Sequence, residues 1–263
     1  MPFPPSNRVI YERNPLQEVI CQLRFPPILE ISSQEPAAFQ NTIRAVYPLY
    51  ERDEPGIGLP KEFPREVAAL LRGSGIDAPP THKFLTEDSS RMISLSRDFV
   101  AVSDKQYLRW EKFREEVGRA VQAIEKVYNP SFYSRIGLRY RDVIDKSDLE
   151  LADEKWDSLV KESLIGVLGT QEVGDFVQKI WTEASIKIDE VPGGAVTLRH
   201  GLRDDPDGGN LKYVIDADFF TTAKEAMEDV FGVLDRFNKM AGYLFRWAIK
   251  EKLHRALIPV AVE

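Results

Sequence analysis

Cysteine is almost absent from this chain of 263 residues, with Cys21 standing alone. An intramolecular disulfide is therefore excluded, and so is a zinc site built on several thiolates. On the apolar face of its strand, Cys21 reads as a core residue. Long apolar runs are missing too. The longest, such as Leu164 to Leu168, fall far short of the roughly 18 residues needed to cross a bilayer. Met1 to Leu16 carries four prolines and several charges where a secretion signal needs an apolar centre. These absences point to the reducing cytoplasm and to no membrane partner. An excess of basic charge is lacking as well: 35 Lys and Arg face 42 Asp and Glu, a formal net charge of -7. That balance argues against a sheath of phosphate contacts, so nucleic acid is not the favoured partner. Finally, the chain has no G-x-S-x-G elbow, no Walker A loop, no GxGxxG after a strand and no HExxH. Gly56-Ile57-Gly58 lacks the residues that would make it a phosphate loop. Hydrolase and dehydrogenase chemistry lose most of their support, and no cofactor is expected.

What is present is an ordinary globular composition, 43% hydrophobic and 10% aromatic, long enough for one large domain or two small ones. Thirteen of the seventeen prolines lie in the first 80 residues, so that region reads as extended and loop-rich. Within it, Gln17 to Phe25 alternates as a strand, with Val19, Cys21, Leu23 and Phe25 on its apolar face until Pro26-Pro27 stops it. A short helix is expected from about Pro36 to Val46. Residues 51 to 80 form a Pro- and Gly-rich insertion with one short helix near Pro64 to Leu71. Three strands follow, at Lys83 to Glu87, Arg91 to Ser96 and Phe99 to Ser103. The helix from Leu108 to Tyr128 then shows Phe113, Val117, Val121, Ile124 and Tyr128 on one stripe.

The second half reads in the same order. Phe132 to Ile144 is a strand and Leu151 to Leu168 a helix. Phe176 to Asp189, Ala195 to Leu202 and Leu211 to Phe219 are three strands. A terminal helix starts at the capping-box pattern Thr222-x-x-Glu225 and runs to about Ala256. Leu23-Arg24-Phe25 in the first strand is echoed by Leu138-Arg139-Tyr140. The expectation is an α+β protein of two tandem strand, helix, three-strand, helix repeats, residues 1–130 and 131–263, forming antiparallel sheets each packed by a long helix. The free faces of the two sheets are able to join into one.

Two stretches, Asn14-Pro15-Leu16-Gln17-Glu18-Val19 running into Gln22-Leu23-Arg24-Phe25-Pro26, and Arg135-Ile136-Gly137-Leu138-Arg139-Tyr140, resemble the start and middle of a sporadically distributed family of uncharacterised bacterial proteins of about this length. Arg199-His200 and Tyr213-Val214-Ile215-Asp216-Ala217-Asp218 fit its later part, so the resemblance covers nearly the whole chain. It brings no catalytic residue or ligand with it. The patchy distribution implies an association with defence or mobile elements.

Charged residues at period two supply the candidate site. Arg135, Arg139 and Arg141 share one strand face, while Ile136, Leu138 and Tyr140 share the other. With Arg24 and Arg199 they form an Arg-bearing surface fit for a protein or an anionic, nucleotide-like ligand. The competing structural reading pairs them with Glu183, Asp216 and Asp218 across the sheet. Asp216 and Asp218, about 6.6 Å apart by the strand rise, are also metal-ligand candidates with His200 on the preceding strand. Trp181, on the face of Lys179, Glu183 and Lys187, is a candidate stacking platform for single-stranded nucleic acid. The acidic turn from Asp204 to Asn210 does not match a calcium loop and reads as a hairpin turn.

The favoured function is therefore binding: the Arg-bearing face meets another protein, a second copy of the chain or an anionic ligand. Apolar surface on the terminal helix, including Tyr243 and Trp247, is the argument for a homodimer. The alternative is a metal-dependent phosphoryl-transfer or nuclease-like enzyme using Asp216, Asp218 and His200, with Arg139 and Arg199 neutralising phosphate.

Overall fold

The computed structural model describes residues 1–53, 80–203, 211–224 and 228–262. The protein is a mixed α/β structure organised on antiparallel sheet. Nine strands form one sheet in the order β3-β4-β5-β6-β2-β7-β10-β9-β8. Its members are β2 (Leu16–Arg24), β3 (Leu49–Asp53), β4 (Thr81–Leu85), β5 (Arg91–Ser96), β6 (Phe99–Asp104), β7 (Arg135–Ile144), β8 (Thr182–Ile188), β9 (Gly194–Arg203) and β10 (Lys212–Thr221). A separate ribbon pairs β1 (Val9–Tyr11) with β11 (Pro259–Ala261), tying together the two ends of the described chain. Neither β1, β11 nor β3 was expected from the residue pattern. All three are short, and only their tertiary partners make them strands.

Alternation sets the two faces of the sheet. At the centre Val19, Cys21 and Leu23 of β2 stand opposite Tyr140, Leu138 and Ile136 of β7. The same register continues through Ala217 and Phe219 of β10 to Leu198 and Val196 of β9. These residues are buried, and the helices lie over them. They are α1 (Leu29–Ser33), α2 (Ala37–Ile43), α3 (Trp110–Val127), α4 (Glu162–Ile165), α5 (Val230–Ala248) and α6 (Glu251–Ala256). The stripe of α3 buries Phe113, Val117, Val121 and Ile124 as its period requires. From α5, Phe237 packs on Phe219 with ring centroids 5.9 Å apart. The opposite face is left to polar side chains. Both halves of the chain contribute to this single sheet, joined by the β2–β7 pair, and their buried residues form one core.

Three expected elements differ from what is seen. Residues 151–168 do not make one helix. They break into a 3-10 turn at Trp156–Ser158, α4, and another 3-10 turn at Gly166–Gly169. The terminal helix is likewise cut: α5 is capped by Asp229, whose side chain accepts from the Gly232 amide, and Ile249 is extended before α6 begins. One cause explains both breaks. The Lys161 amide donates to the Ala248 carbonyl and the Lys250 amide to that of Leu159, and these bonds draw both segments out of helical geometry. In β8, the strand begins only at Thr182. Just before it the Ile180 carbonyl crowds Gly201, which has φ +151°; a Cβ there would lie 2.0 Å from that oxygen. The expected helix at Pro64 to Leu71, the acidic turn from Asp204 to Asn210 and the Glu225 of the capping-box pattern lie outside the described residues.

Candidate functional site

The five candidate arginines share the polar face of the sheet, and most are already engaged. Arg139 makes a two-pronged contact with Asp216, Nε to Oδ1 at 2.7 Å and Nη2 to Oδ2 at 2.6 Å. Arg199 donates from Nε to Glu183 at 2.6 Å. Arg24 donates to Gln22 and lies 3.7 Å from Asp98. Arg135 lies flat along its own strand, donating to Gln22 and to both oxygens of Asp218, with its guanidinium 5.1 Å from the Phe220 ring centroid. Gly137 makes that posture available, since a Cβ there would sit 2.2 Å from the Arg135 Nη1. Only Arg141, flanked by Glu18 on β2 and Asp216 on β10, makes no hydrogen bond or ion pair among the described residues. The cross-strand pairing with Glu183, Asp216 and Asp218 is thus present in the structure, and it uses the charge that a bound anion would need.

The metal candidates do not converge, which corrects the expected trio. Asp216 and Asp218 face the polar side, each held by an arginine. His200 is paired with Ile215 and so faces the core. There it shares a 2.9 Å hydrogen bond with the Tyr213 hydroxyl, and burial lowers its pKa. Period two along β9 places His200 and Arg199 on opposite faces. Among the described residues no group of three His, Cys, Asp or Glu side chains is gathered for a metal ion. The Trp181 ring is covered by Arg203, whose guanidinium carbon lies 3.8 Å from its centroid, so the expected stacking platform is occupied. The apolar surface of the terminal helix is also used within the chain. Trp247 packs on Phe3 at 5.4 Å and under Lys161, while Tyr243 lines a cavity. No helix among the described residues is long and apolar enough to cross a membrane.

That cavity, of about 580 Å³, opens on the helix side of the sheet where the two halves meet. Its walls come from β1, the start of β2, the beginning of α3, β7 and the middle of α5. Six aromatic residues, Tyr11, Tyr107, Trp110, Tyr140, Tyr243 and Phe245, line it together with Asn238 and Asp142. Most of the polar groups have partners: the Tyr140 hydroxyl donates to Asn238 Oδ1 at 2.9 Å, and Tyr11 shares a 2.8 Å hydrogen bond with His254 Nδ1. Asp142 has none. It is 9% exposed, and no described residue donates to its carboxylate. Burial, reinforced by the negative charge of Asp216 on the neighbouring strand, pushes its pKa up to about 8. Burial also pushes the Tyr11 hydroxyl up to about 12 and raises Tyr107 and Tyr140. The acid and the tyrosines of the wall are therefore uncharged at pH 7 when the cavity is empty, Asp142 holds one latent negative charge, and the charged groups of the wall are Arg8, Arg109, Lys239 and Arg246.

Gly242 completes the cavity. It lies within the 19-residue helix α5, it lines the hollow, and a Cβ added there would meet nothing within 4 Å. Glycine inside a helix costs roughly 0.5–1 kcal/mol against alanine, and here it is exposed at the cavity, where a larger side chain would project into open space. The sequence did hold a signal for this site. Asp142 sits at the same parity as Ile136, Leu138, Tyr140 and Ile144, so alternation turns an acid inward. Local rules tend to fail at functional positions. No protein-family model matches the chain, and no curated protein matches it in sequence.

Proposed function

We propose that the protein is a binding protein that takes a small organic ligand into the cavity between its halves, and that it is not a phosphoryl-transfer enzyme. The observation that carries this reading is Asp142. The residue is 9% exposed, its carboxylate opens onto the cavity and no described residue donates to it, so holding an acid there costs stability that an apolar residue would not. Its position in an aromatic-lined cavity of ordinary ligand-binding size, beside a helical glycine, is the pattern of a binding site. The class of function is the one expected from the sequence, while the surface moves from the arginine face to the cavity because the arginines are spent on Asp216, Asp218 and Glu183.

The test is native mass spectrometry of gently purified protein, alongside a Gly242→Leu variant whose side chain fills the hollow. Retained mass, or compounds that raise the wild-type melting temperature and leave Gly242→Leu unmoved, support the reading. If no compound tells the two proteins apart, the reading falls.

Arg141 keeps a second surface in view. Its lack of a partner among the described residues supports the polar face of the sheet as a contact for an anionic group on another protein, and Arg141→Glu would abolish such a contact while leaving the cavity ligand bound. The two halves are further proposed to descend from one duplicated unit. In support, β6 returns beside β2 as β10 returns beside β7, and each of these returns leads into a long helix, α3 or α5.

A further inference from the structure

The cavity reading leaves the class of ligand open, and the unequal use of the polar groups around the cavity narrows it. Arg8 is bound by Glu111 through both guanidinium nitrogens, at 2.7 and 2.9 Å. Arg246 donates to the Ile249 carbonyl and to Glu251. Asn14 donates to the Tyr107 carbonyl and accepts from the Leu16 amide. After these contacts and those of Tyr140 and Tyr11, the buried acid of the wall that is left without a partner among the described residues is Asp142. Leu16 and Ile215 flank it across the sheet, Tyr140 lies two residues away on its own strand, and Tyr11 on β1 feels its charge.

Three kinds of ligand group can meet such a carboxylate. A second anion is repelled once Asp142 ionises. A neutral hydroxyl or amide gains one hydrogen bond and leaves the acid protonated. A protonated amine gains a charge-assisted hydrogen bond and faces the negative clouds of the surrounding rings as well. It alone recovers the energy that burying an unpaired carboxylate costs. Resting on the cavity reading above, we propose that the site binds a protonated primary or secondary amine carried on a flat aromatic or apolar body, with Asp142 as its counter-ion and Tyr11, Tyr107 and Tyr140 as the cage around it. The two cations without a carboxylate partner on the wall, Arg109 and Lys239, are exposed, where salt screens their repulsion.

The proposal carries a proton count. The titratable and charged groups around Asp142 are Tyr140 on β7, Tyr11 on β1, Tyr107 ahead of α3 and Arg246 on α5 held by Glu251, with Asp216 on the neighbouring strand turned to the other face. The empty site holds its proton up to a pH of about 8, and the amine requires the ionised form. Each amine bound below that pH therefore releases close to one proton, and affinity climbs about tenfold per pH unit.

The experiment is titration calorimetry with three matched indole probes: tryptamine, the neutral tryptophol and the anionic indole-3-acetate. Each is run at pH 6 and 7 in buffers of different ionisation enthalpy, against the wild type, Asp142→Asn and Gly242→Leu. The expected result is tryptamine binding to the wild type at least tenfold more tightly than tryptophol, with release of about one proton and a rise in affinity of about tenfold from pH 6 to pH 7. Asp142→Asn should lose both the preference and the proton release. Equal binding of tryptamine and tryptophol to the wild type overturns the amine, as does a preference that survives in Asp142→Asn. Absence of heat from all three probes overturns it too. In each of these cases the cavity reading is judged separately, by retained mass and by the response of Gly242→Leu. Binding that persists unchanged in Gly242→Leu places the ligand elsewhere and overturns both.

Discussion

Asp142 and Asp216 stand on neighbouring strands, diagonal to one another, and are both buried, at 9% and 4% exposure. They differ in which way the strand turns them. Asp216 faces the polar side and receives two hydrogen bonds from Arg139. Asp142 faces the helix side, where its neighbours are tyrosine rings and an open cavity. Burial alone therefore does not decide what a carboxylate does in this protein. A buried acid with a two-pronged arginine is part of the framework, and a buried acid with none is the group on which the proposed binding site rests. The same contrast runs between the two faces of the sheet: on one, Arg135, Arg139 and Arg199 are each paired with an acid, and on the other Asp142 has no partner among the described residues.

The comparison breaks most readily at Asp142, through pH. With its folded-state pKa near 8 and an unfolded value of about 3.9, the folded chain holds a proton across this window that the unfolded chain has lost. Stability therefore falls as pH rises from about 4 to about 8, at up to about 1.4 kcal/mol per pH unit from this group. Asp142→Asn lacks that slope. Urea denaturation of both proteins at pH 5 and pH 8 should show the variant gaining on the wild type by a few kcal/mol at the higher pH. A difference independent of pH would mean that Asp142 is ionised in the fold, and its contrast with Asp216 would vanish.

Arg139→Ala tests the other side. It strands the Asp216 carboxylate in a buried position, and the cost should be roughly 2–3 kcal/mol, less than for a fully buried pair because the Arg139 side chain keeps 39% of its exposure. The midpoint of urea unfolding reads it directly. The variant also sharpens the comparison: Asp216 without its arginine bears more strongly on Asp142, so the pKa of Asp142 should rise further. Loss of less than about half a kcal/mol would show that the arginine face is loosely held, which would reopen it as an anion site.

Much of this molecule was legible before its structure. The β2, β5, β6, β7, β9 and β10 strands follow from alternation, because each has one face pressed on a core and one facing away. The stripe of α3 follows from its period in the same way. The pairing of Arg139 and Arg135 with the acids of β10 could be anticipated from residues two apart on adjacent strands. What stayed hidden depends on the rest of the chain. Residues 151–168 have a helical pattern that loses to the backbone bonds of Leu159 and Lys161 with Lys250 and Ala248. His200 lies on the strand preceding Asp216, which suggests a shared cluster, although the pairing of His200 with Ile215 puts it on the other face. The cavity draws on five elements distant in the chain, and its local marks were small: one acid at an inward position and one glycine inside a helix.

Gly137→Ala is a finer probe of the saturated face. Its methyl would displace the Arg135 guanidinium from above the strand, at the expense of the contacts with Asp218, Gln22 and Phe220. The guanidinium is about four-fifths buried, so a loss of about 1–2 kcal/mol is expected. A high-resolution structure of the variant should show Arg135 turned away from Gln22. A variant as stable as the wild type would mean that these contacts are easily replaced by water, and that this face is less settled than its geometry implies.

The smallest expected effect has the opposite sign. At Gly242 a Cβ meets nothing, so Gly242→Leu removes a flexible residue from a helix without a clash and should stabilise the empty protein by about 0.5–1 kcal/mol. Thermal unfolding of the two proteins without ligand measures it. A gain is the result that matters for function, because it shows that the wild-type glycine is retained at a cost in stability and that the volume it keeps open is what it contributes. A loss would mean that α5 needs glycine for its own packing. The cavity would then be a by-product of helix geometry, and Asp142 the one mark of a site on that face of the sheet.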